Sequence, residues 1–195
     1  LRTFGGQVFR LDHHLARLRH SLEIVGLDAQ SVGGEMGPVV EECVRRNRGQ
    51  LSPGDDFAVV IFVTPGSPTC RQPHVCVYTV PLPFEAWAHQ YEQGIELSVS
   101  EVRQIPTNCW PAELKCRSRM HYYLADKLAH KTDPGSRAVL LDQEGFVSEA
   151  STANIVFYRG GEGLVSPPRH RILPGVSLSV LEQLASSLQI PVHYR

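Results

Sequence analysis

Three side chains and one expected helix terminus in this sequence have the residue types and neighbours to do chemistry. Lys115 stands at the mouth of an expected helix, with Met120, Tyr122, Tyr123 and Leu124 downstream. A lysine drawn into apolar surroundings loses part of its desolvation cost by giving up its proton. The neutral amine is then a nucleophile toward carbonyl carbon. Glu149 ends a short expected strand in which Phe146 and Ser148 share one face and Val147 and Glu149 the other. A carboxylate sharing a face with a valine points to a lined pocket. Arg17 lies off the apolar stripe of an early helix, and its planar donor fork suits a dianion. Leu173-Pro174-Gly175-Val176-Ser177 enters the last expected helix, so unpaired backbone amides and the Ser177 hydroxyl meet where anions bind. Each has an ordinary reading too: a solvated lysine, a glutamate closing a hairpin strand, a charge on a polar helix face, an N-cap serine.

The elements that must position these groups are read from periodicity and turn chemistry. Asp12 is the expected N-cap of a helix over 13–25, with Leu15, Leu18, Leu22 and Val25 on its apolar face. A second helix is expected over 36–47, with Val39, Val40, Cys43 and Val44 inward. The run 57–64, continuous in Val and Ile, predicts a strand buried on both faces. Further strands are expected over 75–81 and 94–102, the latter on the alternation of Ile95, Leu97 and Val99. Residues 103–112, with Pro106 and Pro111, read as a connection between domains. A helix over 118–131 follows, with Tyr122, Leu124, Ala125, Leu128 and Ala129 inward. A hairpin is expected over 138–142 and 146–149 around Gln143-Glu144-Gly145, then strands over 153–158 and 164–165. A last helix spans 177–188, with Val180, Leu181, Leu184 and Leu188 inward, and 191–195 begin another strand. The glycines at 160, 161 and 163 form a turn and lack the strand-to-helix frame of a phosphate fingerprint.

The fold expected from this order is α+β: a small N-terminal α/β domain over 1–102, the connection at 103–112, and a β-rich domain with helices over 113–195. The 195 residues are 42% hydrophobic, enough for a sizeable core. A formal net charge of −1 argues against a nucleic-acid surface. The longest apolar run, Phe57 to Val63, is too short to span a bilayer. Five cysteines with no CxxC pair predict free thiols and a reducing compartment, hence a cytoplasmic protein. His13, His14 and His20 lack metal-ligand spacing, so no metal is expected.

Four ordered segments resemble the class IV pyridoxal-phosphate aminotransferases, the fold-type IV group that includes branched-chain aminotransferases, D-amino-acid aminotransferases and aminodeoxychorismate lyases. They are His14-Leu15-Ala16-Arg17-Leu18; Lys115 with Arg119 and Leu124-Ala125; Leu141-Asp142-x-x-Gly145-x-Val147-x-Glu149-x-x-x-x-Asn154-Ile155; and Ile172-Leu173-Pro174-Gly175-Val176-Ser177. The resemblance implies pyridoxal 5′-phosphate as cofactor, bonded through a Schiff base to Lys115, which also carries the proton between substrate Cα and cofactor C4′. It implies that Glu149 faces the pyridine nitrogen and keeps the ring protonated, so that the ring acts as an electron sink. Arg17, Val176 and Ser177 would hold the phosphate, and the cofactor would lie between the two domains. Asn154 is expected to fix the strand after the Glu149 loop.

The activity so implied is transfer of an amino group between an amino acid and a 2-oxo acid, by a homodimer. Two alternatives are an aminodeoxychorismate lyase-like elimination releasing pyruvate, toward which Arg119 leans, and a truncated non-catalytic homologue. Met120 stands where several members carry a tyrosine five residues after the lysine, and neither Tyr122 nor Tyr123 is assigned in its place. Both chain ends read as cut, and a longer protein is expected.

Overall fold

The computed structural model describes residues 1–28, 30, 32, 36–52, 54–70 and 72–195, and divides into two compact units, Leu1–Ala88 and His89–Arg195. In the first unit, β1 (Thr3–Phe4) and β2 (Gln7–Val8) form a tight hairpin, followed by α1 (Leu11–Ile24) and α2 (Met36–Asn47). β3 (Phe57–Thr64) and β4 (His74–Pro81) pair antiparallel along their whole length. Val40 and Val44 of α2 pack on Phe57 and Val59 of β3, and this small core holds the unit. The Thr3 hydroxyl donates to Asp56, whose carboxylate also accepts the Gly5 and Gly6 amides, tying the first hairpin to the start of β3.

Several expectations for this unit are corrected. β3 is not buried on both faces: Phe57 and Val59 are buried, while Val60, Ile61 and Phe62 are only half-buried. Val39 and Val25 point outward. α1 begins two residues earlier than expected. Its N-cap is Arg10, in the left-handed region at φ 50°, and Asp12 sits inside the first turn. The turn Phe9-Arg10 returning from β2 sets that boundary, and a local capping preference does not override it.

The second unit is built on two strand–helix–strand crossovers. β5 (Leu97–Val99) runs parallel to β6 (Arg137–Leu141), and α4 (Met120–Thr132) lies between them in the chain; α3 (Phe84–Gln93) precedes β5 and spans the division between the units. β7 (Val147–Ala150) then adds antiparallel to β6. β8 (Phe157–Arg159), β9 (Gly163–Ser166) and β10 (Val192–Tyr194) form the other sheet. There β9 and β10 are parallel and joined through α5 (Val176–Ser187). α4 presents Ala125 and Ala129 to Ala138 and Leu140 of β6. Small residues at this contact let helix and strand approach closely, while Leu124 and Leu128, expected inward, are exposed. On α5 the buried positions are Val176, Leu178 and Ala185, and the expected Leu184 and Leu188 are exposed.

The division between units falls at Ala88/His89, whereas the sequence reading places it at residue 102. The reason is the parallel pairing of β5 with β6, which draws residues 97–99 into the second unit. α3 has no counterpart among the elements expected from the sequence, and the strands expected over 94–102 and 153–158 shorten to three residues each. Among the described residues no helix is long and apolar enough to cross a membrane.

Candidate functional site

The hairpin of β6 and β7 delivers a carboxylate to the interior. Asp142 makes the turn: its Oδ1 accepts the amides of Glu144 and Phe146, and Gly145 takes φ +93°. Arg171 donates to Asp142 Oδ2 at 2.7 Å and to Glu144, which pins the turn to the loop before α5. β7 therefore leaves the turn in fixed register, and Ser148, Glu149 and Ala150 are all buried. Glu149 is 7% exposed. After Ala150 the chain reverses: the Ala150 amide donates to the Ala153 carbonyl, and Asn154 comes opposite Glu149.

A carboxylate so buried needs hydrogen bonds in place of water. Glu149 Oε1 accepts the Tyr122 hydroxyl at 2.5 Å and the Gln104 amide at 2.8 Å. Oε2 accepts the Leu173 backbone amide at 3.2 Å and Asn154 Nδ2 at 3.4 Å. All four neighbours are donors, which matches an acceptor-only group. Gln104 also donates to the Tyr122 oxygen at 2.8 Å, so the three side chains close a triangle. Burial, then the adjacent Glu149 charge, pushes the Tyr122 phenol well above its ordinary value, so it stays a donor. Arg119 lies 4.7 Å over the Tyr122 ring and donates to the Ser151 carbonyl, bracing both sides of the turn. The Ser151 hydroxyl, two residues past the carboxylate, is buried and has no hydrogen-bond partner among the described residues.

Asn154 links this carboxylate to the N-terminus of α5. Its Nδ2 donates to the Leu173 carbonyl at 2.9 Å, and a Cβ at Gly175 would fall on its Oδ1. Gly175 is thus required by close approach. It is also the N-cap of α5, with no side-chain cap. The first intrahelical bond runs from Ser179 to the Gly175 carbonyl, so the Val176 and Ser177 amides have no acceptor within the helix. Val176 is buried and Ser177 exposed. Ser177 is therefore a residue of the first turn, not the N-cap the sequence suggested. Uncapped amides with a hydroxyl beside them can hold an anion.

The other two expected site residues differ. Lys115 is exposed, in a stretch over 100–119 that contains neither helix nor strand. The expected burial of its amine is not what these residues provide. The apolar groups downstream, Tyr122, Ala125 and Ala129, turn their face onto β6 instead. Arg17 lies half-buried on α1 of the first unit, and burial lowers its guanidinium below the ordinary value. Within the second unit the structure brings together Glu149, Asn154 and the start of α5. It adds Tyr122 and Gln104, which sequence reasoning left unassigned. Tyr122 shares a helical face with Ala125 and Ala129 at spacings of three and four, a signal that could have found it. Gln104 lies outside any periodic element and carries no such signal.

The family model "Amino-transferase class IV" matches residues 1–195. A Rickettsia bellii protein named "Probable branched-chain-amino-acid aminotransferase" is 26% identical over 193 residues, covering 98% of this chain and 65% of that protein. Among solved structures, the branched-chain amino acid aminotransferase of Escherichia coli superimposes with a TM-score of 0.79 at 25% identity, over 96% of this chain and 62% of that one. A pyridoxal-phosphate-bound hypothetical aminotransferase from Mycobacterium tuberculosis gives a TM-score of 0.85 at 19% identity, over 100% of this chain and 69% of that one, a likeness of fold.

Proposed function

The chain belongs to the class IV aminotransferases, and from that premise we propose that it moves an amino group between an amino acid and a 2-oxo acid using pyridoxal 5′-phosphate. The observation that carries this reading is the buried Glu149 carboxylate, ringed by donors and tied through Asn154 to the open amides of α5. The residues fit the cofactor at both ends. Glu149 matches a protonated ring nitrogen, and the Val176 and Ser177 amides with the Ser177 hydroxyl match a phosphate. Arg17 would add its guanidinium to the phosphate.

When bound, the cofactor supplies an aldehyde carbon and an electron-accepting ring. The chain's own residues do the rest. Lys115 would hold the cofactor through its amine and would serve as the proton carrier at the substrate Cα. Glu149 would keep a proton on the ring nitrogen. Tyr122 and Gln104 keep Glu149 in place, and the start of α5 would hold the phosphate.

Relatives named for branched-chain amino acids support transfer over elimination, and a homodimer accords with the family resemblance. Borohydride reduction of the cofactor-loaded protein, followed by peptide mass analysis, is expected to place the added mass on the peptide containing Lys115; placement on another lysine overturns the reading. Product formation that requires a 2-oxo acid supports transfer; pyruvate release without one supports elimination.

A further inference from the structure

The two oxygens of Glu149 are held unequally. Oε1 takes the short bonds, 2.5 Å from Tyr122 and 2.8 Å from Gln104. Oε2 takes the long ones, 3.2 Å from the Leu173 amide and 3.4 Å from Asn154, whose better acceptor is the Leu173 carbonyl at 2.9 Å. Hydrogen bonds weaken as they lengthen, so Oε1 is anchored and Oε2 retains accepting capacity. The anchors are themselves fixed. Gln104 is locked by three more bonds: its backbone amide donates to the Leu141 carbonyl, its carbonyl accepts Gln143, and its side-chain oxygen accepts the Ile105 amide. Tyr122 is clamped by the Arg119 guanidinium over its ring and by His121, whose ring centroid lies 4.0 Å away.

We propose that Tyr122 and Gln104 are positioning residues that pin Glu149 Oε1 and so aim Oε2 at the ring nitrogen of the cofactor. This rests on the reading that Glu149 faces that nitrogen. Neither residue touches the cofactor; both act through the carboxylate. An unpinned carboxylate rotates about its last side-chain bond and spreads its accepting directions, which weakens a directional bond to one N–H.

The test compares affinity for two probes measured by equilibrium dialysis on the full chain. One is pyridoxal 5′-phosphate. The other is its 1-deaza analogue, which has C–H in place of the ring nitrogen and keeps the aldehyde, the phenolic oxygen and the phosphate. The wild-type chain is expected to prefer the natural cofactor by at least about tenfold, the worth of a charge-assisted hydrogen bond. Tyr122→Phe, which keeps the ring packing, and Gln104→Leu are each expected to cut that preference to about threefold or less. Competition by inorganic phosphate should be unchanged in both. A preference retained in both variants overturns the proposal, as does equal weakening of the phosphate competition, which marks a purely structural role. Glu149→Gln is the control and should abolish the preference. If the wild type shows no preference, or binds neither probe, the underlying reading of Glu149 falls and takes the proposal with it.

Discussion

Glu149 and Lys115, the two groups on which the proposed chemistry turns, are built in opposite ways. Glu149 comes from a strand, enters a buried position and meets four donors drawn from α4, the segments before α4 and α5, and the turn after β7. Lys115 comes from a stretch with no regular structure and is exposed. A carboxylate held in the interior needs a rigid shell, because each unmet hydrogen bond there is costly. An amine that must swing between covalent bond and proton carrier needs reach. The acceptor end of the proposed site is therefore preorganised by the fold, whereas the lysine is presented at the surface from an irregular stretch.

Four outcomes would break or sharpen that contrast. The largest separates activity from stability. Lys115→Ala is expected to lower transamination by about a thousandfold or more while melting within about 0.5 kcal/mol of wild type, since an exposed side chain contributes little to folding. A large loss of stability on denaturant unfolding would place the lysine in the shell after all. Next, Glu149→Leu should unfold about 3 kcal/mol more easily, because it leaves several buried donors unpaired. A neutral result would mean that the shell is wetter than its geometry. Gly175→Ala should cost about 2 kcal/mol and weaken cofactor retention together, as the added methyl displaces Asn154. The two losses coming apart would uncouple the ends of the site. The smallest effect concerns acid.

Burial opposes the charge of Asp142, but the Phe146 amide, Arg171 and the Glu144 amide outweigh it and hold the carboxyl below its ordinary 3.8. A group with a depressed folded value stabilises above the unfolded value and loses that contribution as pH falls through the folded one. Acidification below about pH 3.8 should therefore loosen the turn that sets the β7 register. Asp142→Asn should flatten that part of the stability–pH curve; an unchanged curve removes Asp142 from the turn's support.

The contrast also accounts for what could be read from residues alone. The long segment from Leu141 to Ile155 was legible because turn chemistry at Asp142 and Gly145 and alternation at Val147 and Glu149 agree with one hairpin. α2, β3, β4, α4 and α5 were found within about two residues for the same reason of clear periodicity. What failed was the assignment of faces. Leu124, Leu128, Leu184 and Leu188 fit a helical stripe, yet Ala125, Ala129, Val176, Leu178 and Ala185 take the buried positions. Apolar pattern cannot say which side of a wide stripe meets the neighbour. The burial of Lys115 was inferred from residues that come later in the chain, and these face β6. Gln104 was invisible because its role depends on where a loop runs, which tertiary contacts decide.

One consequence follows from Asn154. Its amide reaches the carboxylate with one hand and the Leu173–Gly175 bend with the other, so a single side chain acts as a calliper between the two anchoring ends. Such a calliper measures length as well as charge. On the proposed reading, a coenzyme with one extra methylene in its phosphate arm should bind more weakly than pyridoxal 5′-phosphate in equilibrium dialysis, and equal binding would show that Asn154 sets no such spacing.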